Sequence, residues 1–115
     1  MSEDPTPLPI AAFQRQIEHL YGPRDVARGV DGTFVWFVEE VGELARALKS
    51  GDPVNLREEF SDCFAWLTTL ASLAGVDMAD AASRYVPGCP RCGEAPCACP
   101  RKRDQRGDSR TSETP

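Results

Sequence analysis

Between Thr33 and Ser50 apolar residues recur every three or four positions: Phe34, Phe37, Val38, Val41, Leu44, Ala45 and Leu48. That period gathers them on one stripe of a helix, whereas a strand would scatter them over both faces. Gly51 follows, a residue free to take the left-handed conformation that closes such a helix. The same period joins Ile10, Phe13, Ile17, Leu20 and Tyr21 into a first helix, which Gly22-Pro23 is expected to end. It also joins Leu56, Phe60, Cys63, Phe64, Leu67 and Leu70 into a third, running to about Ala74 and stopped by Gly75. Asp52-Pro53 makes the tight connection before it, and Asn55 with Glu58 forms a capping pair at its start. Residues 24–32 are charged, contain two glycines and lack the period, so they read as a loop. Asp77 can cap a short fourth helix through Arg84 or Tyr85, ended by Pro87-Gly88. No alternating run is long enough for a strand. The expected fold is therefore all-α: a small bundle of about four helices, with long helices two and three forming an antiparallel hairpin.

A chain of 115 residues has room for one domain with a modest core. Its apolar residues are concentrated between Ile10 and Val86, so that core is small and invites a partner chain. Residues 1–8 are expected to be a disordered lead-in, 9–88 the helical domain and 89–100 a cysteine-rich knuckle. Residues 101–115 carry no large apolar side chain to offset the entropy of ordering, and are expected to be a disordered tail.

The formal net charge is −5. The tail from Arg101 holds five basic and three acidic residues, leaving eight against fifteen in the rest. A body that acidic repels nucleic acid and anionic membrane, so a polyphosphate would have to be recruited through cations. No run approaches the roughly 18 apolar residues of a membrane span, and the start MSEDPTPLP does not resemble a signal peptide. The sequence reads as cytoplasmic.

Glu40 and Glu43 are three residues apart, as are Glu59 and Asp62, so on helices each pair shares one side. In a hairpin turning about residues 51–54, Glu43 and Asp62 are each eight residues from the turn. At about 1.5 Å rise per residue the four carboxylates then lie at similar depth. The alternative is that they are solvated faces of amphipathic helices. Two pairs at matched depth with few basic neighbours favour a shared site for Mg²⁺ or Mn²⁺, which prefer hard oxygen ligands. Such a site suits attack of water on a phosphoanhydride. Glu39, rotated by about 100° from Glu40, is a candidate outer-shell base or orienting group. Trp36 and Trp66 lie four residues outside Glu40 and Asp62 and could stack on a nucleobase or simply pack in the core. Arg24, Asp25 and Arg28 could touch substrate or remain solvated loop charges.

EEVGE at Glu39–Glu43, followed after fifteen residues by EFSD at Glu59–Asp62, resembles the EExxE…ExxD pattern of the MazG-like all-α nucleoside triphosphate pyrophosphohydrolases. The resemblance runs through FVWFVEEVGELARAL and LREEFSDCFAWLTTLA. It implies Mg²⁺-dependent cleavage of a nucleoside triphosphate between the α and β phosphates, with Glu40, Glu43, Glu59 and Asp62 as metal ligands. Glu39 and Glu43 are the candidate catalytic carboxylates. It further implies sites completed between subunits of a homodimer or homotetramer, and a house-cleaning role on nucleotide pools. Arg84-Tyr85 falls where similar proteins often carry Lys-Tyr, so Arg84 either approaches the phosphates or caps the last helix. A competing reading is a non-catalytic module that binds nucleotide or recruits a partner through its cysteine knuckle and basic tail.

Cys89, Cys92, Cys97 and Cys99 place four thiols within eleven residues, with Pro and Gly between them to make tight turns. In a reducing compartment such crowding favours a structural Zn²⁺ over disulfides. The second arm is CxC where CxxC is commoner, and free or redox-active thiols are the alternative. Similar MazG-like chains can carry a comparable tail. Cys63, in an apolar helix, reads as a small core residue.

Overall fold

The computed structural model describes residues 6–101. It contains three α-helices, α1 (Ile10–Ser50), α2 (Pro53–Leu73) and α3 (Met78–Ala82), followed by a 3₁₀ turn at Ser83–Tyr85. No strand occurs among the described residues. By internal packing the chain divides into two units, Met1–Ala81 and Ala82–Pro115. The expected tail from residue 102 and the lead-in before residue 6 lie outside the described residues.

Three α-helices stand where about four were expected, because the first two form one element. The helix does not stop at Gly22-Pro23: Pro23 lies within α1, and the expected loop is largely helical. The only break is at Gly29, with φ 81 and ψ 174, a conformation essentially reserved for glycine. Contacts across the bundle override the local breaker. Asp25 is buried and accepts a hydrogen bond from Thr69 Oγ1 of α2 at 3.2 Å, while Arg28 forms an ion pair with the same carboxylate. Arg28 then spans the break, its Nε donating to Thr33 Oγ1 at 2.9 Å. Gly32 leaves room for this, since a Cβ there would stand 2.9 Å from Arg28 Cγ.

The capping also differs in one place from expectation. Gly51 closes α1 in the left-handed conformation as read from the sequence. The N-cap of α2, however, is Asp52, whose carboxylate accepts from the Val54 amide at 3.2 Å, with Pro53 opening the first turn. Asn55 is thus already inside the helix, because Asp52-Pro53 is both the connection and the start signal. Asp77 caps α3 as expected, accepting from the amides of Ala79 and Asp80 at 2.9 and 3.2 Å.

The second half of α1 runs antiparallel to α2. Trp36 stacks on Trp66 at 6.1 Å between ring centroids, and one turn further along Cys63 Sγ donates to the Glu40 carbonyl at 3.3 Å. The first half crosses the same helix: Phe13 stacks on Phe64 at 4.9 Å. Buried Gln14 donates to Ser72 Oγ and the Val76 carbonyl, both at 3.0 Å, and accepts from the Met78 amide at 2.8 Å. One side chain therefore ties α1 to the turn between α2 and α3.

The hydrophobic interior is slight: among the described residues only Ile17, Ala47 and Ala71 are buried apolar side chains. Much of the apolar stripe of α1 faces outward, including Phe34, Val38, Val41 and Leu48.

Gly29→Ala tests the break. Nothing lies within 4 Å of the added Cβ, so the cost is conformational alone. Urea unfolding should show a loss of about 1–3 kcal/mol. An unchanged midpoint would mean that the backbone is not held in this conformation.

Candidate metal centre

The α1–α2 hairpin sets the depth of the acidic side chains. Glu40, Glu59 and Asp62 each offer a carboxylate oxygen, and these atoms all lie within 4.8 Å of one another. Glu40 and Glu59 are half-buried, and Asp62 is exposed. Oε1 of Glu59 is buried and has no hydrogen-bond partner. An unpartnered buried oxygen facing two further carboxylates is costly unless a cation, or a proton shared with Glu40, compensates it. The donor set is all hard oxygen, which fits Mg²⁺ or Mn²⁺.

Electrostatics register the crowding. Burial pushes the Glu40 carboxyl pKa upward, and the charges of Asp62 and Glu59, a side-chain hydrogen bond with Glu59 and the charge of Glu43 push it the same way. Cys63 behind the cluster is also pushed up, first by burial and then by Glu40, Glu59 and Asp62, which keeps it a protonated core thiol.

Glu43 is near enough to raise Glu40 but is not among the three converging oxygens. Its Oε2 accepts from Arg46 at 2.6 Å, one turn along α1. The side chains of that pair are 71% and 41% exposed, so the ion pair is worth less than about 1 kcal/mol and gives way readily to a stronger ligand. Glu39 is exposed and neighbours the cluster in sequence. Trp36 and Trp66 meet each other, with Trp36 48% exposed. Arg84 belongs to the Ala82–Pro115 unit, where its guanidinium lies 5.7 Å from the Tyr85 ring centroid.

A cleft of about 300 Å³ opens beside the cluster, with Asp62 in its wall together with Tyr21, Arg24, Arg28, Trp66 and Thr69. The Arg28 guanidinium sits 4.7 Å above the Trp66 ring, so salt-bridged Arg28 also holds the indole. Residues 24–32 were expected to be a loop whose Arg24, Asp25 and Arg28 either touch substrate or stay solvated; here they are largely helical, and all three line this cleft. The signal for it was Asp25 and Arg28 at helical spacing.

The four clustered cysteines also converge, their sulfurs all within 4.8 Å of one another. As free thiols they compete for protons. Backbone amides of Cys92 and Arg91 bring Cys89 down to about 6, while neighbouring thiols, Cys97 first, push Cys99 up to about 12.

The raised Glu40 pKa gives a signed prediction for metal-free protein. Folding then favours the protonated acid, so this contribution to stability is present at low pH and lost as the pH rises through a value above 4.5. Thermal melts in chelator should show that decline, and Glu40→Gln should flatten it. A decline of equal size in the variant would locate the titration elsewhere.

No curated protein matches the sequence significantly. The family model described as the MazG nucleotide pyrophosphohydrolase domain matches residues 29–87, just over half of the chain. That span begins at the Gly29 break and contains the second half of α1, all of α2 and every residue of the acidic cluster. The chain belongs to the MazG nucleotide pyrophosphohydrolase domain family.

Proposed function

We propose that the protein is a Mg²⁺-dependent nucleoside triphosphate pyrophosphohydrolase that converts an NTP or dNTP to the monophosphate and pyrophosphate, as in house-cleaning of nucleotide pools. The observation that carries this reading is the partnerless, buried Glu59 Oε1 facing Glu40 and Asp62. Within a family of nucleotide pyrophosphohydrolases, that oxygen triad is where a divalent cation belongs. The cation would supply charge neutralisation of the polyphosphate and a bound water of lowered pKa.

Glu40, Glu59 and Asp62 would hold the ion, and Glu43 could join them if it gave up Arg46. Water adds to the α phosphorus, the bond to the bridging oxygen breaks, and pyrophosphate leaves. Glu39 takes the proton from the water or orients it. The nucleoside end lies toward the cleft that Trp66 lines; Arg28 and Trp36 already cover the Trp66 ring, so exposed Trp36 beside it is the better stacking candidate. Arg24, which has no ion-pair partner among the described residues, lines the same cleft and can meet a phosphate. Arg84 is a second candidate for that contact.

The active form is a homodimer or homotetramer. Phe34, Val38, Val41 and Leu48, at helical spacing on α1, are 43–56% exposed in a single chain, a stripe that water would not leave open at little cost. A matching stripe on a second copy would cover it.

Incubation with canonical and modified triphosphates plus Mg²⁺ should release pyrophosphate from at least one. Glu59→Gln, nearly isosteric, should lower that rate on the order of 100-fold. No release from any triphosphate would leave the non-catalytic nucleotide- or partner-binding module. Light scattering should give a mass of at least twice the 12.6 kDa chain, and a monomer would contradict the assembly. Removing residues 101–115 should leave turnover intact, whereas a recruiting module would lose its partner.

A further inference from the structure

The Ala82–Pro115 unit poses a problem that its packing does not solve: from Ala82 to Arg101 no side chain is fully buried. Apolar burial therefore does not hold this turn-rich segment in one shape. What it does contain is a set of converging sulfurs.

Cys89 and Cys99 Sγ are 3.8 Å apart and Cys92 and Cys97 Sγ 4.0 Å, with all four within 4.8 Å of one another. A regular tetrahedron with zinc–sulfur arms of about 2.3 Å has edges of about 3.8 Å. Every cysteine is a free thiol, and both pairs stand at similar separation, which suits one central ion better than two disulfides. Backbone amides already point at the sulfurs as they would at thiolates. The Arg91 amide donates to Cys89 Sγ at 3.4 Å, Ala98 to Cys92 Sγ at 3.2 Å and Cys99 to Cys97 Sγ at 3.3 Å. Such donors orient ligands and spread their negative charge.

The loop is built for this closure. The Gly93 amide donates to the Cys89 carbonyl at 2.7 Å and the Cys89 amide to the Glu94 carbonyl at 3.0 Å, which folds Cys92 back beside Cys89. Gly88, at φ 137, lies so close to that turn that a Cβ would stand 2.7 Å from the Gly93 carbonyl oxygen. The CxC spacing of the second arm does not prevent convergence.

We infer that Cys89, Cys92, Cys97 and Cys99 form a closed tetrathiolate zinc site that folds the C-terminal unit. Four cysteine ligands leave no position for water or substrate, so the ion is structural. Soft sulfur and hard oxygen ligands then sort two metals within one chain, Zn²⁺ here and Mg²⁺ or Mn²⁺ between α1 and α2. This inference does not rest on the hydrolase reading.

The test uses the full chain, purified under reducing conditions, with metal content read by plasma mass spectrometry and zinc release followed with a mercurial and a colorimetric chelator. One zinc per chain is expected, released only as thiols are titrated. Cys92→Ser and Cys99→Ser should each lose it, while Cys63→Ser and Glu59→Gln retain it. Because a cysteine variant can misfold, Co²⁺ is also titrated into chelator-stripped wild-type protein, where intense thiolate-to-cobalt charge transfer and tetrahedral d–d bands are expected. Iron in place of zinc, cobalt spectra without thiolate bands, or zinc lost equally from Cys63→Ser would overturn the assignment.

Discussion

Mutual repulsion among the carboxylates of Glu40, Glu59 and Asp62 is the constraint around which the helical hairpin is arranged. Their oxygens lie within 4.8 Å of one another, so like charges crowd one place, with solvent screening them most at exposed Asp62. The chain holds them there with contacts at the cluster and along the hairpin away from its turn. Cys63 meets the Glu40 backbone, Trp36 stacks on Trp66, and the Asp25–Arg28–Thr69 group fixes the angle at the Gly29 break. Gathering like charges costs stability, and a bound cation would reverse the sign of the interaction.

The period of apolar residues made the helices legible, and carboxylate spacing made the cluster legible, because both depend only on geometry inside a regular helix. Phe34 to Leu48, Leu56 to Leu70 and the left-handed stop at Gly51 could all be read directly. What could not be read was set by contacts distant in sequence. Pro23 is tolerated because buried Asp25 and Thr69 anchor the turn after it, and local rules weigh only the missing amide. Asn55 reads as the cap and Asp52 only as part of the connection, and the position of the backbone gives the cap to Asp52. The turn toward Arg46 taken by Glu43 is a rotamer choice that spacing does not encode.

The same division explains the exposed apolar stripe. Helical periodicity identifies which residues seek burial, but not whether the burying surface belongs to the same chain. With Ile17, Ala47 and Ala71 as the buried apolar residues among those described, the domain is poorly supplied with interior, which accords with the proposed assembly of copies. The C-terminal unit meets a similar shortage differently, by converging four sulfurs where side chains cannot pack.

Manganese binding followed by electron paramagnetic resonance tests the central claim most directly, because it reads the ion at the carboxylates without requiring turnover. Titrating Mn²⁺ into the protein should deplete the free-ion signal saturably, and Glu59→Gln should weaken that binding severalfold or more while the fold, by circular dichroism, is unchanged. Wild-type protein that leaves the free Mn²⁺ signal intact, or a Glu59→Gln variant that binds as tightly, would contradict the claim that these carboxylates converge to hold a metal.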